Sequence, residues 1–351
     1  VEEPGTNTIT KFEWNAEENK LTAVHYRVDL TKTEYGHKDA AGATAYYYKW
    51  TDNGNGLEFE QTTDPSEAVI TYYADPNRLA PDRITVDQSG NPIDNDFVGK
   101  HVSGYSSYDG AIYNEEGTIG DITGDFIGNY VSSGYSIKGS AINNVFDSTI
   151  GDIKGDFVGN YLSGSTYASG GAIYNYEGII GDITGDFIGN YADARYVEGG
   201  AIYNEGTIGD IRGNFIRNYA YSAEGSAQGG AIYNDWGATI TSITGDFIQN
   251  YVVSDFETLG GAIYNTGIID SICGDFIANH TYAFYINSNS GGSGGAITNL
   301  YNIGSITGDF IANHSSGEAS ASGGAISNSD TIGSITGAFI GNYVSSITRL
   351  A

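Results

Sequence analysis

Aspartates at two recurring positions are the residues of this sequence most able to bind a cation. One set follows glycine in the motif Ile-Gly-Asp, and the other directly precedes a phenylalanine. If like positions stack in the fold, neighbouring carboxylates repel one another, and a calcium ion would relieve that repulsion. The candidate calcium ligands are Asp121, Asp125, Asp152, Asp156, Asp182 and Asp186. Calcium is the only cofactor that the sequence suggests; the alternative is that these aspartates are ordinary turn residues.

Two histidines and a set of threonines are further candidates for chemistry. His280 and His314 stand where other copies of the motif carry tyrosine, so they could share a metal ion. Two ligands without a third favour a simpler interpretation, in which one stacking ring replaces another. The threonines, which could template ice or a glycan, are Thr123, Thr184, Thr244, Thr307 and Thr336. One threonine per copy, in a series that other residues interrupt, argues against an ice-binding face.

Tyrosine-rich segments of variable length are the candidate binding elements. They lie between an asparagine and the next Gly-Ala-Ile motif, and they are rich in Tyr, Ser, Gly and Ala. Adaptable loops of this composition on a rigid scaffold resemble antibody paratopes. The candidate binding residues are Tyr135, Tyr167, Tyr196, Tyr221, Tyr282 and Tyr285. Aligned along one edge, they could bind a glycan or a protein receptor, or dock a neighbouring copy; the alternative is that they pack over the edge of the fold.

An internal repeat must position all of these residues. Gly-Ala-Ile recurs between residues 110 and 326, with Ser140 replacing its glycine once, and Phe-x-x-Asn alternates with it up to residue 342. Successive phenylalanines from Phe97 onward lie 28 to 34 residues apart, so the period is about thirty. Within one copy, three short runs of β-forming residues are separated by Gly, Asp and Asn turn signals. Three strands per coil of about 30 residues predict an all-β fold, a right-handed parallel β-helix with ~4.8 Å between coils.

Two asparagine positions per copy are predicted to be structural. Stacked asparagines can pair, because the amide N–H of one can be received by the carbonyl of the next, ~4.8 Å away. The first predicted ladder is Asn114, Asn144, Asn175, Asn204, Asn234, Asn265, Asn299 and Asn328. The second is Asn129, Asn160, Asn190, Asn218, Asn250, Asn279, Asn313 and Asn342.

The two alternating motifs carry a family resemblance. Gly199-Gly200-Ala201-Ile202 followed by Phe215-Ile216-Arg217-Asn218 resembles the repeat of the chlamydial polymorphic outer-membrane proteins, and the resemblance covers residues 97–344, about 70% of the chain. It implies a right-handed β-helix like the passengers of autotransporters, and a role as a surface adhesin or secreted fibre. No C-terminal β-barrel pattern follows residue 342, so the expectation is a released passenger or a protein outside that secretion route.

The sequence divides into three regions. Residues 1–96 contain all five prolines and several strand-like runs, and they are predicted to form an antiparallel β cap or docking unit for the first coil. Residues 97–344 form the β-helix, and residues 345–351 are a tail too short to cap the last coil. An uncapped coil predicts truncation or cleavage, or end-to-end self-association with the next copy.

Charge and composition exclude several classes of function. The chain has 15 basic and 43 acidic residues, which argues against nucleic acid as a partner, and no apolar run is long enough for membrane insertion. The absence of methionine suggests a processed, exported chain, and the single Cys273 excludes an intramolecular disulfide. We therefore expect a non-enzymatic adhesin or structural fibre, extracellular or on a bacterial cell surface. The alternative is a β-helix that binds or cleaves polysaccharides.

Overall fold

A parallel β-solenoid makes up most of the protein. The computed structural model describes residues 8–15, 20–27, 34–52, 57–80, 84–85, 90–104, 110–284 and 291–346. From residue 84 to residue 346, strands pair in parallel with the equivalent strands of the neighbouring coils. Within the described residues the single helical segment is a 3-10 turn, Pro65–Glu67. The predicted all-β parallel β-helix is confirmed.

Four sheets run along the solenoid. The isoleucine sheet consists of Ile84–Thr85, Ile93–Asp94, Ile112–Glu115, Thr118–Ile119, Ile122–Thr123, Ile142–Val145, Thr149–Ile150, Ile153–Lys154, Ile173–Ile180, Ile183–Thr184, Ile202–Arg212, Ile232–Asn234, Thr239–Thr244, Ile263–Asn265, Ile268–Cys273, Ile297–Asn299, Asn302–Thr307, Ile326–Asn328 and Thr331–Thr336. The phenylalanine sheet consists of Phe97–Val98, Phe126–Ile127, Phe157–Val158, Phe187–Ile188, Phe215–Ile216, Phe247–Ile248, Phe276–Ile277, Phe310–Ile311 and Phe339–Ile340. The tyrosine sheet consists of His101–Gly104, Tyr130–Ser133, Tyr161–Gly164, Tyr191–Asp193, Tyr219–Ser222, Tyr251–Ser254, His280–Ala283, His314–Gly317 and Tyr343–Ser346. The variable-segment sheet consists of Ser136–Lys138, Tyr167–Ser169, Tyr196–Glu198, Ser226–Gln228, Glu257–Leu259, Gly291–Ser293 and Ser320–Ser322.

The structure differs from the expected coil in two ways. The first two predicted runs both lie in the isoleucine sheet, and the third supplies the phenylalanine sheet and the first residue of each tyrosine-sheet strand. The variable segment adds a further strand to most coils. Parallel pairing also begins before residue 97, because Ile84 pairs with Ile112 and Ile93 pairs with Ile122. Residues that the sequence places in the N-terminal unit therefore form part of the first coil.

The core is built from identical side chains stacked in register. Each complete coil contributes one alanine, three isoleucines and one phenylalanine to a single buried cluster. Along the phenylalanine column, neighbouring ring centroids are 4.8 Å apart at Phe126–Phe157 and 4.6 Å apart at Phe157–Phe187, with the rings nearly parallel. A second, smaller apolar cluster lies between the tyrosine and variable-segment sheets. Stacking of like on like is why the sequence repeats so closely.

The paired glycines form the corner between the variable-segment and isoleucine sheets. Gly199 has φ of 76°, and a Cβ there would lie 2.2 Å from the carbonyl oxygen of Ile202. A Cβ on Gly200 would lie 2.1 Å from the carbonyl oxygen of Gly230 in the next coil. The first glycine therefore permits the left-handed turn, and the second permits close approach of the coils.

The N-terminal region forms two small sheets. The strands Thr8–Asn15 and Lys20–Arg27 form an antiparallel hairpin, and Glu34–Gly36, Thr44–Asp52, Leu57–Thr62 and Ile70–Ala74 form a four-stranded sheet. The second sheet is antiparallel except at its edge strand, Glu34–Gly36. Tyr48 and Tyr72 pack against the outward side chains of Ile127 and Val158, so this sheet covers the flank of the phenylalanine sheet over several coils.

The coil that contains Phe339 is partly exposed to solvent, and its strand Phe339–Ile340 contacts the N-terminal strand Thr8–Asn15. Phe339 is 53% exposed, although every other phenylalanine of its column is buried, and Val344 is 46% exposed. The described part of the chain contains no helix with the length and apolar character needed to cross a membrane.

Candidate functional site

Both predicted asparagine ladders are present. In the first, the side-chain Nδ2 of each asparagine donates to Oδ1 of the asparagine in the next coil at 2.7–2.9 Å. In the second, the same bond measures 2.8–3.0 Å, and each Nδ2 also donates to a phenylalanine carbonyl. These side-chain amides are hydrogen-bonded within the fold, so their role is structural.

The first residues of the two asparagine ladders have different hydrogen-bond partners. Lys100 occupies the asparagine position before Asn129, and its backbone N–H donates to Asn129 Oδ1 at 3.1 Å. Asn114 Oδ1, at the start of the first ladder, is buried and accepts no hydrogen bond from the described residues. Asn144, the second residue of that ladder, accepts an additional bond from Ser148 Oγ at 2.7 Å.

The aspartate columns also have a structural role. Asp121 Oδ1 accepts the backbone N–H of Asp152, and Asp125 Oδ1 accepts that of Asp156, at 3.0 and 2.8 Å. Asn214 takes the place of aspartate in the second column and accepts the N–H of Asp246 at 3.0 Å. Hydrogen-bonding backbone N–H groups partly offset the repulsion between stacked carboxylates.

Calcium binding by these columns stays a prediction. Among the described residues, His, Cys, Asp and Glu form no group of three or more that could hold a metal ion. Asp125, which faces Tyr72 and the N-terminal sheet, is the unusual member, because burial raises its pKa to about 6. Thermal melting with and without millimolar calcium is the measurement that decides whether a cation binds.

The two histidines stack on each other. The ring centroids of His280 and His314 are 4.6 Å apart, and the ring of His314 continues the stack onto Tyr343 at 3.8 Å. Burial lowers the pKa of His280 to about 3 and that of His314 to about 4, so both rings are neutral at pH 7. Each Nε2 lies within hydrogen-bonding distance of a serine hydroxyl in the next coil.

The threonine column lies exposed on the isoleucine sheet. Thr244 pairs with Arg212 in one neighbouring coil and with Cys273 in the other, so the column is interrupted as the sequence indicates. Its members are Thr123, Thr184, Thr244, Thr307 and Thr336.

Three of the six candidate binding tyrosines come together on the variable-segment sheet. Tyr135, Tyr167 and Tyr196 are 45%, 44% and 36% exposed and lie on consecutive coils. The Tyr135 and Tyr167 ring centroids are 6.2 Å apart, edge to face, and those of Tyr167 and Tyr196 are 5.3 Å apart and stacked. We call these three residues the tyrosine strip.

The other candidates lie elsewhere. Tyr221 and Tyr282 belong to the tyrosine sheet, where both are half-buried in one cluster with Tyr219. Tyr285 lies outside the described residues. The structure therefore does not bring all six candidates to one edge.

A notch continues the tyrosine strip along the solenoid. It has a volume of about 520 Å³ and spans three coils. Arg195 and Tyr196 line it in the first coil, Phe256 and Glu257 line it in the third, and the middle coil contributes Glu224 and two small residues, Gly225 and Ser226. We define the notch by these seven residues.

Sequence reasoning missed a cluster of tyrosines and charged groups beside this face, which we call the tyrosine–carboxylate cluster. Tyr174, Tyr203, Tyr233 and Tyr264 form a buried column on the outer side of the isoleucine sheet. Carboxylates and one lysine surround the column, namely Glu198, Glu205, Asp235 and Lys138. The sequence does contain a signal for this cluster. Its charged residues adjoin the Gly-Gly and Ala-Ile-Tyr-Asn motifs, at positions that are uncharged in most copies.

The cluster is internally hydrogen-bonded. Tyr203 Oη lies 2.8 Å from a carboxylate oxygen of Glu205 and 2.7 Å from one of Asp235. Lys138 Nζ donates to Tyr174 Oη at 2.6 Å. Burial raises the pKa of both Glu198 and Glu205 and lowers that of Lys138, because desolvation disfavours the charged form of each group.

Comparison of the chain with protein-family models, with curated proteins and with solved structures finds no match.

Proposed function

We propose that this protein is a non-enzymatic adhesin, secreted or displayed on a bacterial cell surface, that binds its ligand along the tyrosine strip and the notch. One observation carries the proposal. Tyr167 and Tyr196 expose their rings in register on neighbouring coils, Tyr135 lies one residue before the matching position Ser136 in the preceding coil, and the notch adjoins Tyr196. Aromatic side chains held on a rigid sheet offer large contact area with little loss of conformational entropy on binding.

Two features favour binding over catalysis. The aspartates repeat evenly along the rod, and their Oδ1 atoms accept backbone N–H groups. In the tyrosine–carboxylate cluster, Tyr203 is 5% exposed and bonds to residues of its own chain. A catalytic acid must reach its substrate within hydrogen-bonding distance, and here Glu205 and Asp235 are already hydrogen-bonded to the Tyr203 hydroxyl group.

The test uses the full chain against immobilised glycans and matrix proteins. We expect the wild-type protein to bind at least one member of the panel, and the double variant Tyr167→Ala/Tyr196→Ala to lose tenfold or more in affinity. Tyr301→Ala is the matched control, because Tyr301 is 38% exposed and lies off the strip. Equal binding by the double variant and the control would contradict the proposal.

The enzymatic alternative has a separate assay. Wild-type protein is incubated with pectin, alginate and glycosaminoglycans, and new reducing ends or unsaturated sugars are measured. We expect none; turnover that Glu198→Gln abolishes would assign activity to the tyrosine–carboxylate cluster and replace the adhesin proposal.

A further inference from the structure

The notch exists because the middle of its three coils carries small residues. Ser226 occupies the strand position that tyrosine fills at Tyr167 and Tyr196, so no ring covers this coil. At Gly225, a Cβ would lie 2.0 Å from the carbonyl oxygen of Arg195, so a residue with a side chain does not fit there. The result is a gap one coil wide with Tyr196 on one side and Phe256 on the other.

The spacing of the aromatic rings sets the repeat of a ligand that contacts them in turn. Along the strip, ring centroids are separated by 6.2 and 5.3 Å, and strand-to-strand spacing in a sheet is ~4.8 Å. A hexose unit in an extended β-linked polysaccharide has a similar length. Sugar rings have an apolar face that packs on aromatic side chains and hydroxyl groups at their rim. Tyr167 and Tyr196 stack on each other, so the ring face without an aromatic neighbour is the face of Tyr196 toward Ser226, at the notch.

The polar groups of the notch fit sugar hydroxyls. Arg195 lies with its guanidinium 5.4 Å from the centre of the Tyr196 ring. Glu224 in the middle coil and Glu257 in the third coil supply carboxylate acceptors. Arginine donors and carboxylate acceptors around an aromatic pair can bind vicinal hydroxyls from both sides.

Charge selects against acidic polysaccharides. The notch has two carboxylates for one guanidinium, and the chain as a whole has a net charge of −28. Uronic acid or sulfate groups would approach this surface against a repulsive potential. Neutral sugars would not meet this barrier.

An extended peptide fits this surface less well. Peptides that add to a sheet need unpaired backbone groups. Here Tyr196 N–H donates to Thr166, Phe256 N–H donates to Gly225, and the Phe256 carbonyl accepts from Gly291, so the strand backbones are already paired. Only side chains are offered to a ligand.

We propose that the tyrosine strip and the notch bind a neutral, linear, β-linked glycan that lies parallel to the solenoid axis, with about one sugar unit per coil. This inference rests on the proposed function, because it names the ligand class of the same face. Tyr135, Tyr167, Tyr196 and the notch then form four successive subsites, with Tyr135 at the far end.

The experiment is isothermal titration of the full chain with β-1,4-linked gluco- and manno-oligosaccharides of two to six units. We expect affinity to rise roughly three- to tenfold per added unit up to about four units and then to level off. Oligogalacturonates of the same lengths serve as the acidic comparison and should bind at least tenfold more weakly.

Variants locate the subsites. Phe256→Ala and Tyr196→Ala should weaken binding of every length about tenfold, whereas Tyr135→Ala should weaken only oligomers of four units or more. Circular dichroism checks that each variant folds, and Tyr301→Ala is again the control. Affinity that is independent of length, a preference for the acidic series, or no binding of any oligosaccharide would overturn the inference.

The two proposals fail in different ways. If an immobilised protein binds through Tyr167 and Tyr196 while no oligosaccharide does, the glycan inference is wrong and the adhesin proposal stands. If no ligand responds to substitution of the strip, both are wrong.

Discussion

Removal of one asparagine from the middle of the first ladder tests how the solenoid is stabilised. Asn204 accepts from Asn175 Nδ2 at 2.8 Å and donates to Asn234 Oδ1 at 2.9 Å. Its Oδ1 also accepts the backbone N–H of Gly206. In Asn204→Ala these bonds are lost, and Asn234 Oδ1, inside a residue with no exposed surface, loses its ladder donor.

The expected destabilisation follows from counting these groups. A lost hydrogen bond costs about 1 kcal/mol net, and a buried polar atom left without a partner costs about 1–3 kcal/mol. With the small cavity left by the amide, Asn204→Ala should lower the free energy of unfolding by about 3–5 kcal/mol.

Asn114→Ala is the matched control at the start of the same ladder. Asn114 Oδ1 accepts no bond from the described residues, so its loss leaves no donor unpaired there. Asn144 Oδ1 loses the Asn114 donor but keeps the bond from Ser148 Oγ. The same chemical change should therefore cost only about 1–2 kcal/mol at this position.

The assay is urea unfolding followed by circular dichroism, with native-state hydrogen exchange to localise the effect. A solenoid can unfold in segments, so the exchange data decide whether the coils around Asn234 open first in Asn204→Ala. If the two variants differ by less than about 1 kcal/mol, side-chain pairing along the ladder is not what stabilises the fold, and our reasoning is refuted.

The remaining predictions concern single sites along the rod. Ala312 has φ of 54°, so Ala312→Gly should raise the free energy of unfolding by about 0.5–1 kcal/mol in urea titrations, whereas Ala283→Gly, in a buried strand, should lower it. Burial raises the pKa of Asp125 to about 6; its folded form therefore binds a proton more tightly than the unfolded chain, and stability falls as pH rises from about 4 to 6. Asp125→Asn should remove that fall and be about 2–3 kcal/mol more stable than wild type at pH 7, and a variant with an unchanged pH profile would contradict the argument. Burial lowers the pKa of His314 to about 4, so wild type should lose stability as pH falls from about 6.5 to 4. Thermal melts at pH 4.5 and 7.5 should show a smaller loss of stability for His314→Tyr than for wild type. End-to-end association through the exposed side chain of Phe339 stays a prediction, for which we expect concentration-dependent oligomers in sedimentation that Phe339→Asp reduces.

The repeat made the architecture predictable. A column such as Phe126, Phe157 and Phe187 can be read from spacing alone, because like residues one period apart pair in register in a solenoid. The asparagine ladders follow by the same logic, since a buried amide needs a partner and the identical residue in the next coil is the nearest one available.

The candidate site was less predictable because it depends on the direction of each side chain. Tyr196 lies on the variable-segment sheet, but Tyr221 belongs to the tyrosine sheet, two residues after Tyr219 and with the buried Ala220 between them. Alternation along a strand therefore places the Tyr219 and Tyr221 rings on the same outer face. Counting from the preceding asparagine would have separated the two classes of tyrosine, whereas composition alone could not.

The sequence did not predict where the N-terminal sheet packs on the solenoid. The sequence predicted a cap over the unpaired strand edges of the first coil, whereas this sheet covers the outward column of Ile127 and Val158 on the flank of the rod. Nothing in residues 1–96 distinguishes a sheet that covers an end from one that covers a side, because both bury an apolar face of alternating residues.

The positions that depart from the repeat give this solenoid a surface that differs from coil to coil. The ladders and core columns fix every coil at nearly the same spacing, so an edge decorated identically in each coil could recognise only a uniform ligand. The position of Tyr196 on this edge varies along the described strands, with tyrosine at Tyr167 and Tyr196 and serine at Ser136 and Ser226, and Ser226 with Gly225 beside it opens the notch. Since neighbouring coils continue the backbone ladder through this point, the change alters the surface without disturbing the core. A regular scaffold with a local irregularity can therefore define both the direction in which a linear ligand lies and the point at which it is held.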